Sequence, residues 1–422
     1  MNNVNNMPDK KTIKNSAETM AERIEIVEKI LNRGVIVDVL PDIESFRQRL
    51  ISTEPMKIYI GADPTSTALH LSHAKNYLLL EEFRKLGHKV YVLFGDFTAK
   101  IGDPTGRLSA RKQLTDEDVK KNVQGWIKQI RPLMDFDASE NPPEIVYNNE
   151  WLSKLTMADV ISLASNVTVQ QMIERDMFAK RIKEEQPIYL NEFMYPLMQG
   201  YDSVALDVDA ELCGSDQTFN ALMGRTLLKK FKQKDKFVIT VNLMENPITH
   251  ELMSKSRGTG VFLDFDAFNM YGAIMSQPDE MIKVFLINNT RIPLNSIEEI
   301  LKANNPRDAK MAAALEVTKI FHGENEAVEA QNKFVKLVQN KEIGEDVPKF
   351  EATKNPISVY ELLRSCLPKE FSGNEIKRLI DQGAIKVNGE VIRGYETPLT
   401  ITGDGLDLKV GKKKWYKIVY SK

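Results

Sequence analysis

Two of the chain's five histidines, His70 and His73, stand three residues apart where a helix should begin. They follow an apolar stretch and a turn containing Gly61, Asp63, Pro64, Thr65 and Ser66. A helix start carries unpaired N–H groups and a partial positive charge, which suits phosphate oxygens. Imidazoles placed there add hydrogen bonds that strengthen where negative charge builds up during a reaction. Two histidines at this spacing also fit caps or ordinary surface residues, so other clusters must decide.

Three such clusters lie further along. Leu252-Met-Ser-Lys255-Ser256, followed by Arg257 and Gly258, is a basic, glycine-bordered loop after a strand ending near Leu243. A lysine there can swing onto a triphosphate, although a plain surface loop reads the same way. Asp103, Arg107 and Arg111 place one acid and two cations on a loop, where solvation alone is the other explanation. Tyr195, Gln199 and Asp202, at spacings of four and three, share one helix face. That face suits a small polar ligand or plain solvent, and Gly214-Ser-Asp216-Gln217 follows it.

The elements that must carry these groups can be read from periodicity. Residues 18–50 have a helical pattern, with Ile24, Ile26, Val27, Ile30 and Leu31 on one face. From Met56 to Phe94 the pattern is strand, loop, helix, strand, the helix running from Leu71 to Leu86 and closed by Gly87. This βαβ unit is the elementary piece of a doubly wound parallel sheet, whose ligands sit beyond the carboxyl ends of the strands. Gly102-Asp-Pro-Thr-Gly106 falls on the same rim. Residues 115–202 read as mostly helical, 237–243 as a buried strand, and 278–340 again as helices. A polar segment with two prolines, 344–356, reads as a linker. Beyond it, helices at 359–366 and 373–382 precede strands near 384–387 and 416–420.

At 422 residues the chain can hold two to three domains, and 42% hydrophobic with 27% charged residues is a globular composition. Cys213 and Cys366 offer neither a disulfide framework nor zinc-ligand spacing, which points to a reducing cytoplasm. The first twenty residues lack an apolar core, so neither a secretory signal nor a membrane span is expected. The net charge is −2, yet residues 357–422 carry 12 Lys and Arg against 8 Asp and Glu. Such a basic end on an acidic body points to a local polyanion contact, or to a solvated lysine face.

Taken in order, these stretches resemble the bacterial tyrosyl-tRNA synthetases, class I aminoacyl-tRNA ligases, over nearly the whole chain from about Val35. His70-Leu-Ser-His73 resembles the HIGH signature, and Met253-Ser-Lys-Ser256 most of KMSKS. Gly102-Asp-Pro-Thr-Gly106, Gln199-Gly-Tyr-Asp202 and Gly214-Ser-Asp216-Gln217 resemble stretches of the tyrosine branch. The resemblance implies an α/β fold: a doubly wound, Rossmann-like catalytic domain, an all-α domain and a small α+β RNA-binding domain. Expected boundaries are an N-terminal helical extension to residue 50 and a catalytic domain at 51–265 with a helical insertion at 115–202. A helical anticodon-binding domain at 266–343, the linker, and an RNA-binding domain at 357–422 follow.

It also implies roles. Tyr59 and Asp202 would hydrogen-bond the phenol of L-tyrosine, and Asp103, Tyr195 and Gln199 its ammonium. Asp63, Asp216 and Gln217 would position ribose and substrate. Gly61, Asp63, Gly214, Asp216 and Ser256 would line the ATP site. Thr65, His70 and His73 would meet the phosphates, while Arg107, Arg111 and Lys255 close over the leaving pyrophosphate. ATP would bring Mg2+ on its own phosphates, with no protein metal site. Leu252 stands in place of the usual first loop lysine, Ser72 in place of the glycine of HIGH, and Cys213 where glycine is common.

Residues 371–389 resemble the RNA-binding domain of ribosomal small-subunit protein four. Lys377, Arg378, Lys386, Lys412, Lys413 and Lys414 would contact tRNA(Tyr) phosphates. A homodimer, joined through the helical insertion, is implied too. The rival readings are a non-catalytic RNA-binding paralogue of the same fold, the tryptophanyl enzyme, and a nucleotide-binding domain fused to an RNA module.

Overall fold

A computed structural model describes residues 20–104, 114–253, 260–339, 348–367, 371–403, 405–411 and 414–420. The chain divides into two compact units, residues 1–328 and 329–422. The first opens with helix α1 (Met20–Leu31), strand β1 (Ile36–Leu40), α2 (Ile43–Ile51) and β2 (Lys57–Ala62). Next come α3 (Leu71–Lys85), β3 (Lys89–Phe94), α4 (Asp116–Ile130) and β4 (Glu144–Tyr147). Short helices α5 (Asn149–Leu152), α6 (Met157–Ala164), α7 (Val169–Ile173) and α8 (Asp176–Lys183) lead into α9 (Leu190–Leu206). The sheet resumes with β5 (Ala210–Gly214), α10 (Thr218–Lys232) and β6 (Phe237–Val241). Helices α11 (Ala267–Met275), α12 (Met281–Asn289), α13 (Leu294–Leu301) and α14 (Pro306–Phe334) follow, the last six residues of α14 falling in the second unit. α14 breaks at Gly323, whose φ of +82° is left-handed backbone that favours glycine.

The strand order is β1-β6-β5-β2-β3-β4, with β6, β5, β2, β3 and β4 mutually parallel and β1 antiparallel at the edge. From β2 the chain winds outward to β3 and β4, then returns to the other side as β5 and β6. The switch therefore falls between β2 and β5, where an open parallel sheet leaves a crevice at its carboxyl edge. Ile58, Val90, Leu212, Val238 and Ile239 are almost wholly buried, as expected of strands covered on both faces. The α3 helix ends as its sequence predicts, Gly87 taking φ +92°.

Three expectations change. The stretch to residue 50 is not a helical extension: Ile36–Leu40 is β1, zipped to β6 in the register Val39↔Ile239. Its β-branched residues fit a strand, and the helical pattern on either side masked it. The insertion at 115–202 is likewise not all helical, because β4 lies within it and pairs with β3. Nor do residues 266–328 form a unit of their own. Arg33, just after α1, donates to the carbonyls of Leu286, Ile287, Thr290 and Ile292, and Asn289 Nδ2 donates to Leu71 O.

The second unit contains β7 (Lys349–Glu351), β8 (Ile357–Ser358), α15 (Val359–Cys366), α16 (Gly373–Asp381) and β9 (Ile385–Val387). It ends with β10 (Glu390–Val391), β11 (Pro398–Leu399), β12 (Leu406–Val410) and β13 (Lys414–Val419). Five strands in the order β10-β9-β12-β13-β7 carry both helices over a core that includes Leu362, Ile376, Ile380, Leu408 and Ile418. The linker reading at 344–356 fails in its second half: β7 pairs with β13 and Ala352 is buried in that core. Phe350 supplies the apolar contact that the polar composition concealed.

Candidate active site

The site is built at the carboxyl ends of β2, β3, β4 and β5, around the turn from β2 to α3. That turn is held from outside by one face of α4. Asn122 Nδ2 donates to Pro64 O at 2.8 Å, Trp126 Nε1 to Ser66 O at 2.7 Å, and Gln129 Nε2 to Thr67 O at 2.9 Å. Gln129 Oε1 also accepts from Leu69 N at 2.8 Å. These bonds satisfy loop amides and carbonyls that would otherwise be buried unpaired. They fix where Thr65, His70 and Ser72 stand.

The two imidazoles lie with ring centres 4.1 Å apart. His73 Nδ1 accepts from the His70 backbone N–H, which leaves its Nε2 as the protonated nitrogen of the neutral ring. Burial lowers His70 to about 4 and His73 to about 3, so both are neutral donors near pH 7. His70 Nδ1 is buried without a partner among the described residues. Leu71 N donates to Val261 O and Leu263 N to Leu69 O, so the segment after the Lys255 loop is tied to the histidine turn. The segment before it is anchored by Met253 N to Met244 O, with Leu252 half exposed opposite Glu245. Arg107, Arg111, Lys255, Ser256, Lys412 and Lys413 lie outside the described residues.

Beside the turn runs a continuous polar chain. Tyr195 OH donates to Asp63 Oδ2 at 2.9 Å, and Thr98 Oγ1 donates to Asp63 Oδ1 at 2.7 Å. Asn148 Nδ2 reaches Thr98 Oγ1 at 3.0 Å and Asp202 at 3.4 Å, and Trp151 Nε1 donates to Asp202 Oδ1 at 2.8 Å. Burial pushes the Asp202 carboxyl well above the usual range, and the Trp151 and Asn148 donors oppose that shift. Burial, then the fields of Glu211 and Asp202, raise the Tyr59 phenol, so it keeps its proton. Tyr59 OH bonds Ser203 Oγ at 3.0 Å.

The predicted helix face is present: Tyr195, Gln199 and Asp202 all belong to α9, and Gln199 Oε1 is a buried acceptor without a partner among the described residues. Gln217 Nε2 donates to Asp103 Oδ2 at 2.8 Å, bringing the β5 and β3 rims together, and Asn220 holds Gln217 Oε1. Gly214 ends β5 where any Cβ would collide with the Asp216 carboxylate. Gly61 is exposed on the rim, and a Cβ there would make only ordinary contacts with Leu93 and Tyr59. Cys213 is a buried thiol that desolvation pushes up, not a reactive group.

Several residues that the sequence did not single out belong here. Thr98, Asn148 and Trp151 complete the polar chain, and their signal was their position just after β3 and β4, the second of which was unrecognised. Lys75 is buried one turn into α3 and lowered by burial to about 7, with Asp216 opposing. Arg175 packs its guanidinium 4.2 Å from the Phe219 ring, and its field reaches Asp103 and Tyr195.

In the second unit the expected basic residues are split between two faces. Lys377, on α16, lies over the rings of Tyr360 and Tyr395, and Arg378 follows it. Lys386 instead projects from the sheet face turned away from the core, opposite Lys409, whose ammonium sits 4.7 Å from the Trp415 ring. Lys414 begins β13. Among the described residues no helix is long and apolar enough to cross a membrane.

Comparison with known families matches residues 52–339 to the tRNA synthetases class I (W and Y). The chain belongs to this family. It is similar to a tyrosine–tRNA ligase of Carboxydothermus hydrogenoformans, 40% identical over 93% of this chain and 98% of that protein. One from Thermotoga maritima is 41% identical over 92% and 96%. A C-terminally truncated mitochondrial tyrosyl-tRNA synthetase of Aspergillus nidulans shares the class I fold, with a TM-score of 0.65 at 24% identity over 75% of this chain and 98% of that one.

Proposed function

We propose that the chain activates L-tyrosine with ATP to tyrosyl-adenylate and pyrophosphate, then transfers tyrosine to the terminal ribose of tRNA(Tyr). The observation that carries this reading is the buried end of the pocket, where the Tyr59 phenol and the Asp202 carboxyl are both almost wholly enclosed and the carboxyl's field reaches the phenol. Such a pair matches a phenol, and phenylalanine would offer neither group the hydrogen bond that a phenol hydroxyl does. At the other end, Asp103, Tyr195 and Gln199 Oε1, partnerless among the described residues, take the ammonium, which needs several acceptors around one compact cation.

The tyrosine carboxylate attacks the α-phosphorus and pyrophosphate leaves. Chemistry of this kind depends on positioning and charge stabilisation rather than on covalent work by the protein. Thr65 and the neutral imidazoles of His70 and His73 meet the phosphates. Gly61, Asp63, Gly214, Asp216 and Ser256 border the nucleotide, with Gln217 beside the substrate. Arg107, Arg111 and Lys255 close over the pyrophosphate, and Mg2+ arrives on ATP.

Lys377, Arg378, Lys386 and the 412–414 lysines grip tRNA phosphates. The chain pairs as a homodimer, a reading supported by Met157 and Ile161, apolar and more than 60% exposed one turn apart on α6. The free thiols Cys213 and Cys366 suit a reducing cytoplasm. Pyrophosphate exchange with each of the twenty amino acids tests the reading. Tyrosine alone should sustain exchange, and a preference for any other amino acid would overturn it.

A further inference from the structure

Behind Tyr59 lies an ion pair that the reading above does not use. Lys236, just before β6, and Glu211, on β5, bond each other with side chains that are 0% and 3% exposed. Lys236 Nζ also donates to Ser203 Oγ at 2.7 Å, and Ser203, itself fully buried, bonds Tyr59 OH at 3.0 Å. Glu211 is the register partner of Tyr59 across β2 and β5. The helix above makes room for the pair: a Cβ on Gly224 would stand 2.7 Å from both Lys236 Nζ and Ser203 Oγ. Burying two charges is expensive, and an apolar replacement is often as stable. A role other than stability is therefore worth seeking.

Proton counting supplies one. An ammonium has donors and no acceptor, so Ser203 Oγ must accept from Lys236. The single hydroxyl proton of Ser203 is then available to Tyr59. In the reverse direction Tyr59 would donate to the second lone pair of Ser203, leaving the Ser203 proton with no acceptor among the described residues. We propose that the buried Lys236–Glu211 pair fixes the direction of a hydrogen-bond chain, Lys236 to Ser203 to Tyr59, so that Tyr59 meets the tyrosine phenol as a donor. Glu211 accepts from Lys236 and holds it in place. The phenol accepts from Tyr59 and hydrogen-bonds the Asp202 carboxyl group, whose oxygens also accept from Trp151 and Asn148. Lys236, Glu211 and Ser203 are thus positioning residues that act through Tyr59. The inference rests on the assignment of Tyr59 and Asp202 to the phenol.

The test compares full-length wild type with the double variant Lys236→Met/Glu211→Leu, which removes both charges together, and with Ser203→Ala, which leaves the pair intact. Pyrophosphate exchange is measured with tyrosine and with phenylalanine, alongside KM for ATP and thermal melting. Each variant should lose on the order of tenfold to a hundredfold in kcat/KM for tyrosine, mainly through KM. The phenylalanine value and the KM for ATP should stay within about twofold, so selectivity narrows. A folded variant of either kind that keeps the wild-type tyrosine-to-phenylalanine ratio would overturn the relay alone. Equal losses for both amino acids would also overturn it, showing a structural role. A wild-type protein that activates no tyrosine would instead overturn the functional reading beneath it.

Discussion

Trp151 shows what a single donor contributes to this site. Its indole N–H is the shorter of the two side-chain hydrogen bonds reaching the buried Asp202 carboxylate, at 2.8 Å against 3.4 Å for Asn148. Trp151→Phe removes the donor while keeping most of the ring. Losing a hydrogen bond to a buried acceptor costs about 1–3 kcal/mol, so kcat/KM for tyrosine should fall by roughly five- to a hundredfold. KM for ATP should not move, and pyrophosphate exchange measures both. Leu252 offers a change in the opposite direction. It stands half exposed where its relatives' resemblance places a lysine, and Leu252→Lys should speed tyrosine-dependent exchange by restoring a cation near the pyrophosphate. At this scale the sequence was readable wherever residue type and spacing were both unusual, as with His70 and His73 or Tyr195, Gln199 and Asp202. It was silent on Thr98, Asn148 and Lys236, which are ordinary polar residues until folding brings them beside Asp63, Asp202 and Tyr59.

At the scale of elements, strands were easy to read when buried on both faces and bounded by turns, as β2 and β3 are. β1 and β4 were lost because they are edge strands of four or five residues flanked by helical sequence. With β4 unseen, the Asn148–Trp151 segment at its carboxyl end had no reason to be placed on the rim. The joint between β3 and the following 3₁₀ turn carries its own demand. A Cβ at Gly95 would strike the Asp63 and Thr98 side-chain oxygens, whose hydrogen bond links two rims of the site. Gly95→Ala should therefore separate them, lowering kcat/KM for tyrosine by about tenfold or more. The loss in stability should be only about 1–3 kcal/mol. Exchange kinetics beside a urea titration distinguish the two effects.

For the whole molecule, the division into two units sets where the chain can be cut. Removing everything after Pro356 would strand β7, which belongs to the C-terminal sheet. A chain ending at residue 339 removes that sheet intact. Tyrosine activation should stay within about twofold of wild type, while tRNA charging falls on the order of a hundredfold as phosphate contacts are lost. Exchange and aminoacylation assays on the same preparation check both. Global stability should also depend on pH. His70, His73 and His88 are held neutral by burial, at about 4, 3 and 4, against 6.5 for a free imidazole. Each contributes stability that is complete above pH 6.5 and drains away as pH falls towards those lower values. The melting temperature should drop between pH 7 and pH 4.5, with a shallower slope in His88→Asn, where no buried ring must be charged.

The three side chains of α4 that grip the 64–69 turn bond its backbone carbonyls from within the chain itself. An arriving nucleotide thus finds its cradle already rigid and spends little of its affinity on freezing loose backbone. More of that affinity is left for the brief, highly charged arrangement in which the phosphate bond breaks.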